Sequence, residues 1–329
     1  MLNTQTKNFI FSILMMLVGV SLIFGFLIGV NSLKNKEKNN IGGDIHVNNI
    51  RKSTVPIKKN GNEYIEKKEY FSLLVIDDET NTVLFEENVR EIRSLASITK
   101  LMSALVLLDL PVDWHGKTKI KLEDYSGASH HVSVGEEFVL EDLWNMGLVG
   151  SSNGSMCALS RCGGLTKKEF VNLMNKKAKD LGLDNMSFSD PTGLDSENIG
   201  DALDISKLLK YALKNEKIKS SLNVGEYYSE VIGNEEKRRI WNTNLLLTKW
   251  VKNKFDSDLI FGKTGYIPKS GYNFVVRLTD GEGHYVRAVV LGATTNEDRF
   301  VIVRDAVSWT FENYLWPDEK GYEEMIKNL

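Results

Sequence analysis

The order in which hydrophobic patterns follow one another limits this chain more than any single residue does. In "YFSLLVIDDETNTVLFEEN", residues 70–88, two β-rich runs flank the turn cluster "DDETN", which predicts a hairpin. A long stretch of helical spacing follows: "LEDLWNMGLV", "NGSMCALSRC", "KKEFVNLMNKKAKDLGL" and "ALDISKLLKYALKN". Between the last two lies "DNMSFSDPTGLD", an irregular loop rich in Asp, Ser, Pro and Gly. From Leu259 the period changes again. "LIFGKTGYI", "YNFVVRLTD" and "YVRAVVLGAT" read as three strands, with "DGEG" as a tight turn, and a last helix runs from about Arg299 to Tyr314. Strands at both ends with helices between them predict an α/β plus all-α architecture. Its antiparallel sheet is built from the two chain ends and flanked by helices, with a helical subdomain inserted.

What precedes residue 69 is of another kind. From Phe9 to Val30 the chain has 22 residues without a charge. At 1.5 Å per residue that spans a hydrocarbon core of about 30 Å. The run is longer than a cleavable signal's apolar region and has no A-x-A-like site, so it reads as an uncleaved anchor. Residues 1–8 then form a cytoplasmic tail, and 31–68, rich in Asn, Lys and Gly, a linker. The folded domain is expected over 69–317, with a tail at 318–329. Lysines after the span favour a cytoplasmic domain by charge bias alone. A formal net charge of -3 gives no reason to expect nucleic acid as a partner. Cys157 and Cys162, five apart, point to different sides of a helix and make no disulfide framework.

The chemistry begins at "SLASITKLMSA", where Ser97 stands three residues before Lys100. Positions i and i+3 share a helix face. A serine hydroxyl becomes a nucleophile once a base takes its proton. A lysine is a base only if burial or a second cation lowers its pKa, and the apolar run after Lys100 supplies burial. Lys263-Thr264-Gly265, on the first late strand, offers a charge, a hydroxyl and close backbone approach to an acidic ligand. Ser151-Ser152-Asn153 sits at a loop-to-helix junction and offers a hydroxyl and an amide.

Together these resemble the penicillin-recognising serine enzymes, with S-x-x-K, then S-x-N, then K-T-G. Within that group the chain is similar to the low-molecular-mass penicillin-binding proteins, the D-alanyl-D-alanine carboxypeptidases. The resemblance covers about residues 70 to 315 and includes "VGEEFVLEDLWNMGLVGSSNGSMCALS", "GKTGYIPKSGYNFVV" and "VVLGATTNEDRF". It implies an acyl-enzyme on Ser97, with Lys100 as general base. Ser151 and Lys263 relay the proton to the leaving amine, and Asn153 orients the acyl side. Thr264, with Arg299 by position, binds the departing carboxylate. Gly265 lets the strand approach, and the amides of Ser97 and Tyr266 form the oxyanion hole. It also implies that Lys263 helps keep Lys100 neutral. The implied partners are the peptidoglycan stem peptide and β-lactam antibiotics, which places the domain outside the membrane on its N-terminal anchor; no cofactor and no metal is expected. Departures are Ser152 for the usual Gly of S-G-N, Gly154 for an acidic residue, Asp190 for the Asn of N-P-x-G-L, and no second β domain.

Other readings compete. Gly150-Ser151-Ser152-Asn153-Gly154 fits the G-x-S-x-G elbow of α/β-hydrolases, with His284 as the triad histidine. A class A β-lactamase would need a deacylating glutamate in an E-x-x-x-N near Ser187, and none is there. A non-catalytic homologue could use the fold only to bind cell wall. The pair His130-His131 has no zinc-like spacing and reads as loop histidines.

Overall fold

The computed structural model describes residues 54–328 apart from 60, 62, 126–130, 235 and 236. The run 9–30 and the linker up to residue 53 lie outside them. Among the described residues no helix is long and apolar enough to cross a membrane.

In chain order the strands are β1 (Ile57–Lys58), β2 (Ser72–Asp77), β3 (Val83–Glu87), β4 (Arg93–Ser94), β5 (Lys117–Lys119), β6 (Glu137–Val139), β7 (Ile199–Gly200), β8 (Glu226–Glu230), β9 (Lys237–Trp241), β10 (Phe261–Ile267), β11 (Gly271–Thr279), β12 (Tyr285–Ala293) and β13 (Tyr314–Leu315). The helices are α1 (Lys100–Asp109), α2 (Leu140–Leu148), α3 (Asn153–Ser160), α4 (Lys167–Asp180), α5 (Ala202–Ala212), α6 (Glu216–Asn223), α7 (Asp298–Asn313) and α8 (Tyr322–Lys327).

The main sheet has the order β10-β11-β12-β2-β3 and every pairing is antiparallel. β2 and β12, from opposite ends of the chain, lie side by side with Leu74 opposite Val289. β2 is apolar without alternation because both of its faces are covered. Leu73 and Val75 point into one core with Phe300, Val303 and Val307 of α7. Leu74 and Ile76 point into a second core with Leu101, Leu105 and Leu209 of the helical block. α1 is buried along almost its whole length, so the helix bearing Lys100 is the centre of that block.

Two terminal pieces differ from the expected boundaries. Residues 54–59 belong to the folded unit, where β1 pairs with β13. Past residue 317, Tyr322 at the start of α8 is fully buried and its hydroxyl donates to Val55 O at 2.6 Å. Two-residue strands carry no hydrophobic period, which is why sequence patterning passes over them.

Candidate active site

Ser97 and Lys100 straddle two elements rather than sharing one helix. Ala96–Thr99 is a 3₁₀ turn, and Lys100 opens α1. In a 3₁₀ turn residues i and i+3 nearly eclipse, so the spacing of three still brings the side chains together. Lys100 Nζ lies 2.7 Å from Ser97 Oγ, 2.7 Å from Asn153 Oδ1 and 2.8 Å from Thr192 O. The residue before the serine, Ala96, has φ 49°, a left-handed conformation that costs a β-carbon residue energy.

Two close approaches hold that turn. Gly193 has φ +88°, and a Cβ there would stand 1.8 Å from Ala96 O. A Cβ on Gly265 of β10 would stand 2.6 Å from Leu95 O and 3.2 Å from Ser97 N. Only glycine fits either place, and so the loop after Asp190 and the edge strand both reach the backbone beside Ser97.

The geometry around Lys100 fixes what its amine can do. Asn153 Oδ1 and Thr192 O are pure acceptors and take two N–H bonds. A neutral amine has two hydrogens, so its lone pair is left for the third neighbour, the Ser97 hydroxyl. Lys100 is fully buried, and that burial lowers its pKa from the ordinary lysine value to about 7. The nearby Asp190 charge pulls the other way and is outweighed. The N-terminus of α1 also disfavours a cation there.

Asp190 organises the loop that supplies Thr192 O. Its Oδ1 accepts from Thr192 N at 2.5 Å, Thr192 Oγ1 at 2.6 Å and Gly193 N at 2.9 Å. Its Oδ2 accepts from Asp195 N at 2.6 Å and Asn198 Nδ2 at 2.9 Å. Burial pushes this carboxyl's pKa up, but the bonds from Thr192, Asp195 and Gly193 outweigh it and hold the group below its ordinary value. Both oxygens are occupied by donors, so Asp190 is not a free base for a water molecule.

Across the site, Ser151 has φ 59° and turns its hydroxyl to 2.8 Å from Lys263 Nζ. Lys263, on β10, is 1% exposed. Burial first, then the charges of Lys100 and Arg299, hold its pKa well below the ordinary lysine value. Repulsion between the two amines is mutual, so it adds to burial in keeping them from being charged together. An incoming carboxylate would restore the proton on Lys263.

Ser152 has a different occupation from its neighbours. It is the N-cap of α3, accepting from Ser155 N at 3.3 Å and from Ser155 Oγ at 2.7 Å, and it is 2% exposed. His284 bonds Asp280 and Asp318 and stacks on Trp316. The elbow reading needs Ser152 exposed and bonded to a histidine, and neither holds. Of the paired histidines, His130 lies outside the described residues. His131 abuts Gly150, where a Cβ would meet its Nε2 at 2.9 Å.

The far end of the cleft is polar and aromatic. Thr264 Oγ1 lies 2.6 Å from Thr243 Oγ1. Tyr266 is 48% exposed and stacks on Tyr272 at 4.2 Å between ring centroids. Arg299 is set differently from a side chain aimed into the cleft. It is 6% exposed, and its Nη1 donates to Gly265 O at 3.0 Å and Asn273 O at 3.2 Å, tying β10 to β11. Burial brings its pKa down to about 9. Its Nη2 donates to Asn296 Oδ1, and its Nε alone has no hydrogen-bond partner.

Sequence reasoning passed over Ala96, Thr192, Gly193, Thr243 and Asn273 as site residues. Asn273 Nδ2 donates to Ser94 O at 2.9 Å and Leu95 O at 3.3 Å, anchoring the Ser97 turn to β11. The one available signal was the Asp-Pro-Thr-Gly cluster, whose composition predicts a turn without saying what it touches.

The family model described as D-alanyl-D-alanine carboxypeptidase (peptidase S11) matches residues 62–295. A D-alanyl-D-alanine endopeptidase of Haemophilus influenzae is 35% identical over 207 residues, which cover 62% of this chain and 68% of that protein. The D-alanyl-D-alanine carboxypeptidase DacF of Bacillus subtilis is 30% identical over 256 residues, 74% of this chain and 62% of that protein. Among solved structures, the Streptomyces K15 DD-transpeptidase superposes with a TM-score of 0.67 at 24% identity, covering 76% of this chain and all of that one. Penicillin-binding protein D2 of Listeria monocytogenes, solved with ampicillin bound, gives 0.64 at 22% identity, with 76% of this chain and all of that one covered. At these identities the two structures establish the fold.

Proposed function

The chain belongs to the D-alanyl-D-alanine carboxypeptidase family (peptidase S11), and from that premise we propose that it removes the terminal D-alanine from peptidoglycan stem peptides through an acyl-enzyme on Ser97. The observation that carries this reading is the cage around Lys100. A fully buried amine with its two hydrogens committed has one lone pair, and that lone pair faces the Ser97 hydroxyl.

In this mechanism Lys100 takes the Ser97 proton as Oγ attacks the carbonyl of the penultimate D-alanine. The Ser97 and Tyr266 amides receive the developing oxyanion; such donors are each worth about 3 kcal/mol in the transition state. Asn153 orients the acyl side. Lys263, recharged by the substrate, and Thr264 hold the terminal carboxylate, with the Arg299 guanidinium behind β10 adding positive potential. Ser151, bonded to Lys263, passes a proton to the leaving amine and is itself reprotonated with the proton that Lys100 took from Ser97, so D-alanine departs and Lys100 is neutral again. Water then attacks the ester, with Lys100 again as base, and frees Ser97. β-Lactams acylate the same serine. With Asp190 fully engaged and no E-x-x-x-N near Ser187, hydrolysis of the penicilloyl ester is slow.

The run 9–30 is proposed as a membrane anchor that leaves the domain outside the membrane, where the stem peptide lies. Protease shaving of intact cells tests it, and a protected domain would contradict it. Endopeptidase action on cross-linked peptides is a second reading, favoured by the name of the Haemophilus relative. The deciding assay follows D-alanine release from an uncross-linked pentapeptide and cleavage of a cross-linked dimer in parallel. The proposal expects release from the first to dominate; cleavage of the second alone would overturn it.

A further inference from the structure

The hairpin β8–β9 carries aromatic side chains for which the catalytic steps have no use. Its ladder sets Glu226 opposite Trp241, Tyr228 opposite Arg239 and Glu230 opposite Lys237. With a side-chain period of two, these six residues share one face. That face is open, with Trp241 49% and Tyr228 48% exposed. The other face is buried through Ser229 and Ile240, and a Cβ on Gly150 would meet Ile240 Cγ2 at 2.4 Å. The hairpin therefore rests its underside on the residue before Ser151 and turns its aromatic side outward.

The chemistry of the open face is specific. The Arg239 guanidinium stands 3.9 Å from the Trp241 ring centroid and 5.8 Å from that of Tyr228. Glu226 accepts from Arg239 Nε at 2.7 Å, and Glu230 pairs with Lys237 at 2.6 Å. Two acids and two bases cancel, so the face combines ring surface and hydrogen-bonding groups with no net charge. Trp, Tyr and Arg are the residues that anchor binding surfaces, and an exposed patch of this kind calls for a ligand. A neutral face gives a polyanion no advantage. A saccharide matches it: a pyranose ring presents a flat array of C–H bonds to an aromatic ring and a rim of hydroxyls to carboxylates and guanidinium.

Position narrows the ligand further. β9 ends at Trp241, and two residues further on, past the strand end, Thr243 touches Thr264 at 2.6 Å. Two residues span at most about 7 Å, so the ledge begins within about that distance of the Lys263-Thr264-Gly265 strand. Four residues of stem peptide span about 13 Å. With the fifth residue at Thr264, the sugar that bears the stem lies within reach of Trp241. We propose that the Trp241–Arg239–Tyr228 face is a glycan-binding ledge that holds the saccharide strand carrying the stem peptide. The proposal rests on the peptidoglycan reading of the site.

The test uses the full-length chain and peptide-free peptidoglycan glycan strands, with binding read by titration calorimetry. Wild type binds; Trp241→Ala and Tyr228→Ala each weaken binding about tenfold, the loss that marks an anchor residue. Trp241→Phe, which keeps a ring, recovers most of it. Trp250→Ala, at a side chain 76% exposed but outside the hairpin, binds as wild type. No binding by wild type, or equal binding by all variants, overturns the ledge. D-alanine release supplies the second readout. The ratio of kcat/KM on glycan-linked over free pentapeptide falls about tenfold in Trp241→Ala, through KM; an unchanged ratio counts against the ledge. If wild type releases no D-alanine from either substrate, the peptidase reading fails, while glycan binding that is lost in Trp241→Ala still upholds the ledge.

Discussion

Asp190→Asn changes one atom of a buried side chain, and the structure says what that atom meets. Every neighbour of the two carboxylate oxygens is a donor: Thr192 N, Thr192 Oγ1 and Gly193 N on one, Asp195 N and Asn198 Nδ2 on the other. An amide must place its NH₂ against one of these sets. The less costly choice faces Asp195 N and Asn198 Nδ2. Asn198 does not relieve the clash by flipping, because its Oδ1 accepts from Ser189 N at 3.0 Å and its Nδ2 donates to Asp195 O at 3.0 Å. Two buried donors are left unmatched, at about 1–3 kcal/mol each. Removing a buried charge returns part of this, for a net loss of about 3 kcal/mol. At about 2–4 °C per kcal/mol for a domain of this size, Tm falls by about 6–12 °C at pH 7. The sign with pH follows from the carboxyl's lowered pKa. Its stabilisation is present above the ordinary carboxylate range and is lost as pH falls through the folded value, so the difference between wild type and variant closes in acid. Catalysis changes twice. Loss of the Asp190 charge lowers the Lys100 pKa further, moving the acid limb of kcat/KM to lower pH. A loosened Thr192 O lowers the plateau by about tenfold or more, since small misplacements of catalytic groups are costly. The assays are differential scanning calorimetry and the pH profile of D-alanine release. A variant with wild-type Tm and an unmoved acid limb would refute the reasoning.

Three further outcomes follow from the same geometry. Acylation by benzylpenicillin should rise with pH through about 7 as Lys100 sheds its proton, measured by stopped-flow, and Lys100→Ala should lose that limb together with at least 10²-fold in rate. Gly193→Ala places a Cβ 1.8 Å from Ala96 O at a left-handed position, so its Tm should drop by more than that of Asp190→Asn. Thr243→Val removes the partner of the Thr264 hydroxyl, which should raise KM about fivefold with kcat little changed in steady-state D-alanine release.

The three motifs were legible because each spacing encodes a short-range relation. Ser97 and Lys100 meet whether the turn is 3₁₀ or α, and Lys263-Thr264-Gly265 lies within a run that reads as a strand. The sheet was legible because β2, β11 and β12 are long apolar runs at the two chain ends. Long-range contacts left no local trace. Nothing around Ala96 announces φ 49°, which depends on Gly193 and Gly265 pressing from distant segments. Asp190 was visible as a departure from a family pattern, but its five donors come together only in the folded loop. Residues 216–258 mix charges and single aromatics without a clear period, and there α6 and the β8–β9 hairpin went unread. Arg299 was placed by position alone, which does not reveal that its Nη1 ties β10 to β11.

The central claim is that Ser97, activated by Lys100, is the nucleophile and that Ser152 is a helix cap. Intact-mass analysis of the full-length chain after incubation with benzylpenicillin tests it most directly, with wild type, Ser97→Ala and Ser152→Ala side by side. The account predicts one penicilloyl mass on wild type and on Ser152→Ala and none on Ser97→Ala. Loss of the N-cap in Ser152→Ala costs about 1 kcal/mol of stability and spares the adduct. An adduct on Ser97→Ala, or its absence from Ser152→Ala alone, would contradict the account.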